Sequence, residues 1–126
     1  MAAKRILLVE DDENLAELLV LILRSGGYSV DLALTVAQAE QLFAAEGYEL
    51  VVADWRLPDG DGIEFADRAA ERGMKTAVMT AYAFNMPPEK AERHEVWLKP
   101  MRPRELIAEV ERCIGKSWRW IAGRGG

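Results

Sequence analysis

Apolar residues fall in five short runs, and four of these stop at a polar side chain. The runs Lys4–Val9, Tyr28–Ala33, Val51–Asp54, Lys75–Met79 and Glu95–Leu98 have strand length and no helical spacing. Between them the apolar period lengthens. From Glu13 to about Arg24, Leu15, Leu18, Leu19 and Ile22 recur at helical intervals, and Leu23 widens the stripe. Asp12 is placed to cap this helix and Gly26-Gly27 to end it. Thr35 caps a second helix through about Ala45, with Val36, Ala39, Leu42 and Phe43 inward. A third runs from Ile63 to Arg72 and is stopped by Gly73. Pro87-Pro88 limits the next segment to one or two turns beginning at proline. Pro103 opens the last helix, with Leu106, Ile107, Val110 and Ile114 on its inner face.

Strand and helix alternating five times over short connections predict an α/β fold, a parallel sheet covered on both faces. Ligands in such folds gather at the carboxyl ends of the strands. Glu10 and Asp11 end the first strand, Asp54 the third, Thr80 the fourth and Lys99 the fifth. Taken singly, each has a plain reading as a helix cap, an Asx-turn or a surface charge. Their delivery to one edge is the functional signal. Three crowded carboxylates repel one another and call for a cation, and hard oxygen ligands suit Mg2+. A carboxylate can attack phosphorus, while a lysine, a metal and a hydroxyl stabilise the phosphoryl charge.

Composition narrows the classes. Half of the 126 residues are apolar and 29% are charged, as in a soluble globular domain. Nothing approaches a membrane-spanning run, and the start reads straight into a strand, without a signal peptide. A single cysteine, Cys113, excludes an internal disulfide and fits a cytoplasmic protein. The net charge of −5 divides unevenly: the first 111 residues carry 12 basic and 21 acidic side chains, and the last fifteen carry four basic and none acidic. An acidic body argues against nucleic-acid binding by the domain itself.

The residues Val9-Glu10-Asp11-Asp12, Asp54 with Leu57-Pro58-Asp59-Gly60-Asp61-Gly62, Thr80-Ala81 and Lys99-Pro100 closely resemble the receiver domain of two-component response regulators. The resemblance covers about residues 4–115. It implies a flavodoxin-like, doubly wound sheet of order 2-1-3-4-5, with about five helices and a short or irregular fourth. It also implies that Asp54 accepts a phosphoryl group from a sensor histidine kinase or phosphotransfer protein. Glu10, Asp11, Asp54 and the backbone carbonyl of Arg56 would hold Mg2+, Thr80 would be the switch hydroxyl, and Lys99 the phosphate-binding lysine. Asp12 maps onto the helix cap. Such a protein signals by altered contacts with a downstream protein, here unknown, and catalyses only its own phosphoryl transfer and dephosphorylation.

The chain departs from that pattern in places. Val96 stands where the family usually has an aromatic, with Trp97 one place later as a packing residue, so the coupling of Thr80 to an aromatic is not carried over. The segment from Thr80 to Lys99 is short, which argues against the common fourth-helix dimer. No output domain is expected; the expected division is a receiver over 1–115 and a basic Trp/Gly-containing tail over 116–126, either a frayed end or a docking segment. Arg56 and Tyr82, two residues beyond Asp54 and Thr80, are expected at the site mouth, where they would set phosphate lifetime. The alternatives are a phosphorylation-independent scaffold, or an enzyme on the same layout. A flavin carrier would want a hydroxyl-rich loop where Glu10-Asp11-Asp12 stand, and an aspartate phosphatase an acid where Arg56 stands.

Overall fold

Five parallel strands carry the architecture, each within one residue of its predicted place. The structure, a computed structural model, describes residues 3–117. The strands are β1 (Arg5–Val9), β2 (Ser29–Ala33), β3 (Leu50–Asp54), β4 (Lys75–Thr80) and β5 (Glu95–Leu98). They lie side by side in the order β2-β1-β3-β4-β5, all parallel. A two-residue ribbon, Arg56–Leu57 against Gly60–Asp61, follows β3. The helices are α1 (Glu13–Ser25), α2 (Val36–Ala45), α3 (Gly62–Glu71), α4 (Pro88–Ala91) and α5 (Pro103–Ile114), with a 3-10 turn at Ala83–Asn85. This is the flavodoxin-like arrangement the resemblance implies.

Strand alternation sorts the core into two faces. Ile6, Leu8, Leu50, Val52, Ala77, Met79 and Trp97 turn to the face covered by α1 and α5. Leu7, Val9, Val51 and Ala53 turn to the face covered by α2 and α3, and Val78 and Val96 join Trp55, Ile63 and Met86 beside it. Each large side chain so buried contributes about 1.5–3 kcal/mol. Trp97 is a packing residue, as expected, with only 3% of its surface exposed.

The helix ends follow local chemistry. Asp12 accepts from the Leu15 N–H and Thr35 from the Gln38 N–H. At α5, Pro103 takes the first position and Glu105 accepts from the Arg102 N–H. The fourth helix is a single four-residue turn.

One expectation is corrected. Leu18 does not face inward but is 52% exposed, while Ala16, Leu19, Val20 and Leu23 fill the interior of α1. Leucine or isoleucine at 15, 18, 19, 21, 22 and 23 covers more than one side of the helix, so spacing alone did not fix its rotation.

Candidate functional site

The sheet register builds the site. Val9 pairs with Ala53, and Asp54 with Met79, so Glu10 and Asp54 leave neighbouring strands at the same level. Thr80 pairs with Leu98, and the Lys99 N–H donates to the Thr80 carbonyl, which sets Lys99 beside them.

Glu10, Asp11 and Asp54 each offer a carboxylate oxygen within 4.8 Å of the others. The Lys99 Nζ donates to Glu10 Oε1 at 2.6 Å and lies 3.1 Å from Asp54 Oδ2. Glu10 is buried, 2% exposed, and its other oxygen accepts from the Asp12 N–H. Burial thus falls on a group with two donors, whereas Asp11 faces solvent.

The charges do not balance: three carboxylates share one ammonium. Burial raises the Asp54 pKa, the Lys99 charge lowers it, and the Glu10 and Asp11 charges raise it again; it stands at about 6. Burial works against the Lys99 charge, but the Glu10 hydrogen bond and both carboxylates overcome it and hold the lysine above its ordinary value. A surplus of hard anionic oxygens at this spacing fits a small divalent cation.

Thr80 is 1% exposed, and its hydroxyl accepts from the Tyr82 N–H at 2.8 Å. Tyr82 itself is exposed, and its ring lies 5.9 Å from the Arg56 guanidinium, which stacks at 4.8 Å on Trp55. Arg56 and Tyr82, expected together at the mouth, are thus in contact with each other. Glu10, Asp11, Asp54 and Lys99 gather at one rim, with Thr80 at the end of the strand beside Lys99.

Some supports were not legible beforehand. A Cβ on Gly62 would stand 1.8 Å from the Asp54 carbonyl oxygen, so only glycine allows α3 to start against the end of β3. The Gly62 N–H also donates to the Trp55 carbonyl at 2.7 Å. Asp59, in the loop after β3, accepts from the Val36 and Ala37 N–H groups and ties that loop to the start of α2. Those two backbone donors hold its pKa below the ordinary range. Asp61 caps α3 through the Ile63 N–H. The repeated Asp-Gly pattern was the available signal, but which helix each aspartate serves depends on tertiary placement.

Comparison with known proteins places the arrangement. The pattern described as the response regulator receiver domain matches residues 6–111. The chain is 34% identical over 116 residues to the response regulator receiver protein CpdR of Brucella abortus (strain 2308), covering 88% of this chain and 97% of that protein. It is 34% identical over 115 residues to the transcriptional regulatory protein BasR of Escherichia coli (strain K12), covering 87% of this chain and 52% of BasR, so it spans about half the length of that relative. Among solved structures, the CheY-like receiver domain protein of Methanospirillum hungatei JF-1 superposes with a TM-score of 0.80 at 29% identity, covering 88% of this chain and 93% of that one. The response regulator TrrA of Thermotoga maritima, solved in complex with Mg2+ and BeF, gives 0.79 at 31% identity, covering 87% and 98%. No helix among the described residues is long and apolar enough to cross a membrane. With the sheet order, the acidic cluster and the lysine now in place, the chain belongs to the family of response regulator receiver domains of two-component systems.

Proposed function

We propose that Asp54 accepts a phosphoryl group from the phosphohistidine of a sensor histidine kinase or phosphotransfer protein. The observation that carries this reading is Lys99 lying on both Glu10 and Asp54 beside the cluster of three carboxylates. With its pKa at about 6, the Asp54 carboxyl is mostly ionised at neutral pH and available as a nucleophile. An Asp54 carboxylate oxygen forms a bond to phosphorus as the P–N bond to the donor breaks. The electron pair leaves on the imidazole, and Asp54 becomes an acyl phosphate.

Glu10, Asp11, Asp54 and the Arg56 backbone carbonyl would hold Mg2+, which when bound neutralises phosphoryl oxygens. Lys99 supplies the fixed positive charge on the opposite side, and the Thr80 hydroxyl exchanges its Tyr82 N–H partner for a phosphoryl oxygen. That exchange alters the backbone near Thr80 and with it the surface offered to a downstream protein. We read residues 1–115 as the receiver and residues 116–126 as its tail, in a cytoplasmic protein for which neither nucleic-acid nor membrane binding by this domain is expected. Arg56, stacked between Trp55 and Tyr82, screens the acyl phosphate from water.

The test is incubation with Mg2+ and a small phosphodonor such as acetyl phosphate, read by intact mass. One phosphoryl adduct is expected, absent without Mg2+ and absent in Asp54→Asn. A wild-type protein that takes up none under these conditions overturns the reading in favour of a phosphorylation-independent scaffold. Arg56→Ala and Tyr82→Ala are expected to change the lifetime of the adduct, and unchanged lifetimes would remove both residues from the mechanism.

A further inference from the structure

The loop that leaves β3 is fixed at both of its stems. The Trp55 N–H donates to the Met79 carbonyl at 3.0 Å, and the Gly62 N–H donates to the Trp55 carbonyl at 2.7 Å. Between these points Arg56 pairs with Asp61 and Leu57 with Gly60, an antiparallel ribbon with Pro58-Asp59 at its tip. A ribbon of two pairs is too short to hold its own direction. Its tip needs a separate anchor.

Asp59 supplies that anchor. One carboxylate oxygen accepts from the Val36 N–H at 2.7 Å, the other from the Ala37 N–H at 3.0 Å. These are the first two donors of α2, which have no partner inside the helix. The helix has a cap of its own: Thr35 accepts from the Gln38 N–H, and Gln38 Oε1 accepts from the Leu34 N–H at 2.8 Å. A second acceptor brought in from another loop therefore acts mainly on that loop. The approach is close, for a Cβ on Gly60 would stand 3.2 Å from Val36 Cγ2, and Leu57 and Val36 pack against the same buried cluster.

The ribbon begins at Arg56. In the phosphoacceptor reading, on which this inference rests, the Arg56 backbone carbonyl is the Mg2+ ligand that no side-chain rotation can aim. Its direction follows the peptide plane between Arg56 and Leu57, and so the tilt of the ribbon. We propose that Asp59 is a positioning residue for Mg2+, fastening the ribbon to α2 so that the Arg56 carbonyl is held ready for the ion. Asp59 itself is exposed and is not a member of the carboxylate cluster.

Titration of the full chain with MgCl2, followed by amide NMR, tests the proposal. Wild type is expected to bind. The Leu57 amide nitrogen, which shares a peptide plane with the Arg56 carbonyl, should be among the signals that shift. Asp59→Ala should raise the half-saturating Mg2+ concentration about tenfold, the lower end of the cost of losing an outer-shell support, and should shrink the Leu57 shift at saturation. Thr35→Ala loosens the same turn of α2 from the helix side and should leave both near wild type. The Asp59→Ala defect should persist in about 1 M KCl, where an exposed charge is screened within about 3 Å. Half-saturation of Asp59→Ala within about twofold of wild type would overturn the proposal. So would an equal defect in Thr35→Ala, or a defect that disappears at high salt. A wild-type chain that binds no Mg2+ would overturn the reading of the site itself, and the proposal with it.

Discussion

Two polar clusters share this sheet and treat their charges in opposite ways. At the carboxyl edge, Glu10 and Asp54 share the ammonium of Lys99 with Asp11 close beside them, and burial, joined by the Glu10 and Asp11 charges, drives Asp54 up to about 6 against the pull of Lys99. Toward the other edge, Asp67 of α3, Thr76 of β4 and His94 before β5 form a chain in which donors and acceptors match. His94 Nε2 lies 2.6 Å from Asp67 Oδ1, and its Nδ1 2.5 Å from the Thr76 hydroxyl. A carboxylate only accepts, so Nε2 donates to Asp67, and the Thr76 hydroxyl, able to donate or accept, meets Nδ1 on the other side of the ring. Arg93 closes the set at 3.0 Å from the other Asp67 oxygen. The matched cluster fastens elements together; the mismatched one keeps interaction energy in reserve for a ligand. Surplus like charge, rather than polarity as such, distinguishes the candidate site from the structural cluster.

Four substitutions probe that contrast, in descending size. Gly62→Ala forces a methyl into the Asp54 carbonyl and should destabilise the fold by roughly 3 kcal/mol or more, read as a lowered urea midpoint. A near-normal midpoint would mean that α3 can withdraw from β3. His94→Ala removes the centre of the matched cluster, leaves Thr76 and Asp67 without their partner and opens a void, so a loss of about 2–4 kcal/mol is expected. An effect below ~1 kcal/mol would erase the distinction between the two clusters.

Asp54→Asn should act in the other direction. An acid whose folded pKa lies above its ordinary value of about 3.9 binds its proton more tightly in the folded state. Its stabilising contribution is complete below that ordinary value and is lost as pH rises through about 6. At pH 7 without metal, the variant should therefore exceed wild type by about 1–2 kcal/mol, allowing for solvent screening. Its advantage should disappear near pH 4, and Mg2+ should narrow it at pH 7 by stabilising wild type more. Equal stabilities across that pH range would show that the rim holds no reserve. The smallest effect is expected from Asp59→Ala, which frees the exposed first turn of α2. Faster amide exchange at Val36 and Ala37 with little change in midpoint is the expected outcome, and unchanged exchange would count against the tie.

The strands, the Asp12 and Thr35 caps and the rim were readable because each depends on local pattern or on the end of an apolar run. The matched cluster was not, since Asp67, Thr76 and His94 come from three elements and no spacing joins them. A lone histidine before β5 and a threonine inside an apolar strand were its only traces. The rotation of α1 was ambiguous for the opposite reason: too many leucines, so that Leu18 was placed in the interior and proved exposed. The abbreviated fourth helix was legible from Pro87-Pro88, because proline acts through backbone geometry alone.

The bare α-carbon of Gly62 has a mechanical consequence. With no side chain between them, the first turn of α3 rests directly on the backbone of the residue that bears the Asp54 carboxylate. A change that pushed α3 toward the sheet would therefore press on that backbone at once, with no soft side chain to absorb it.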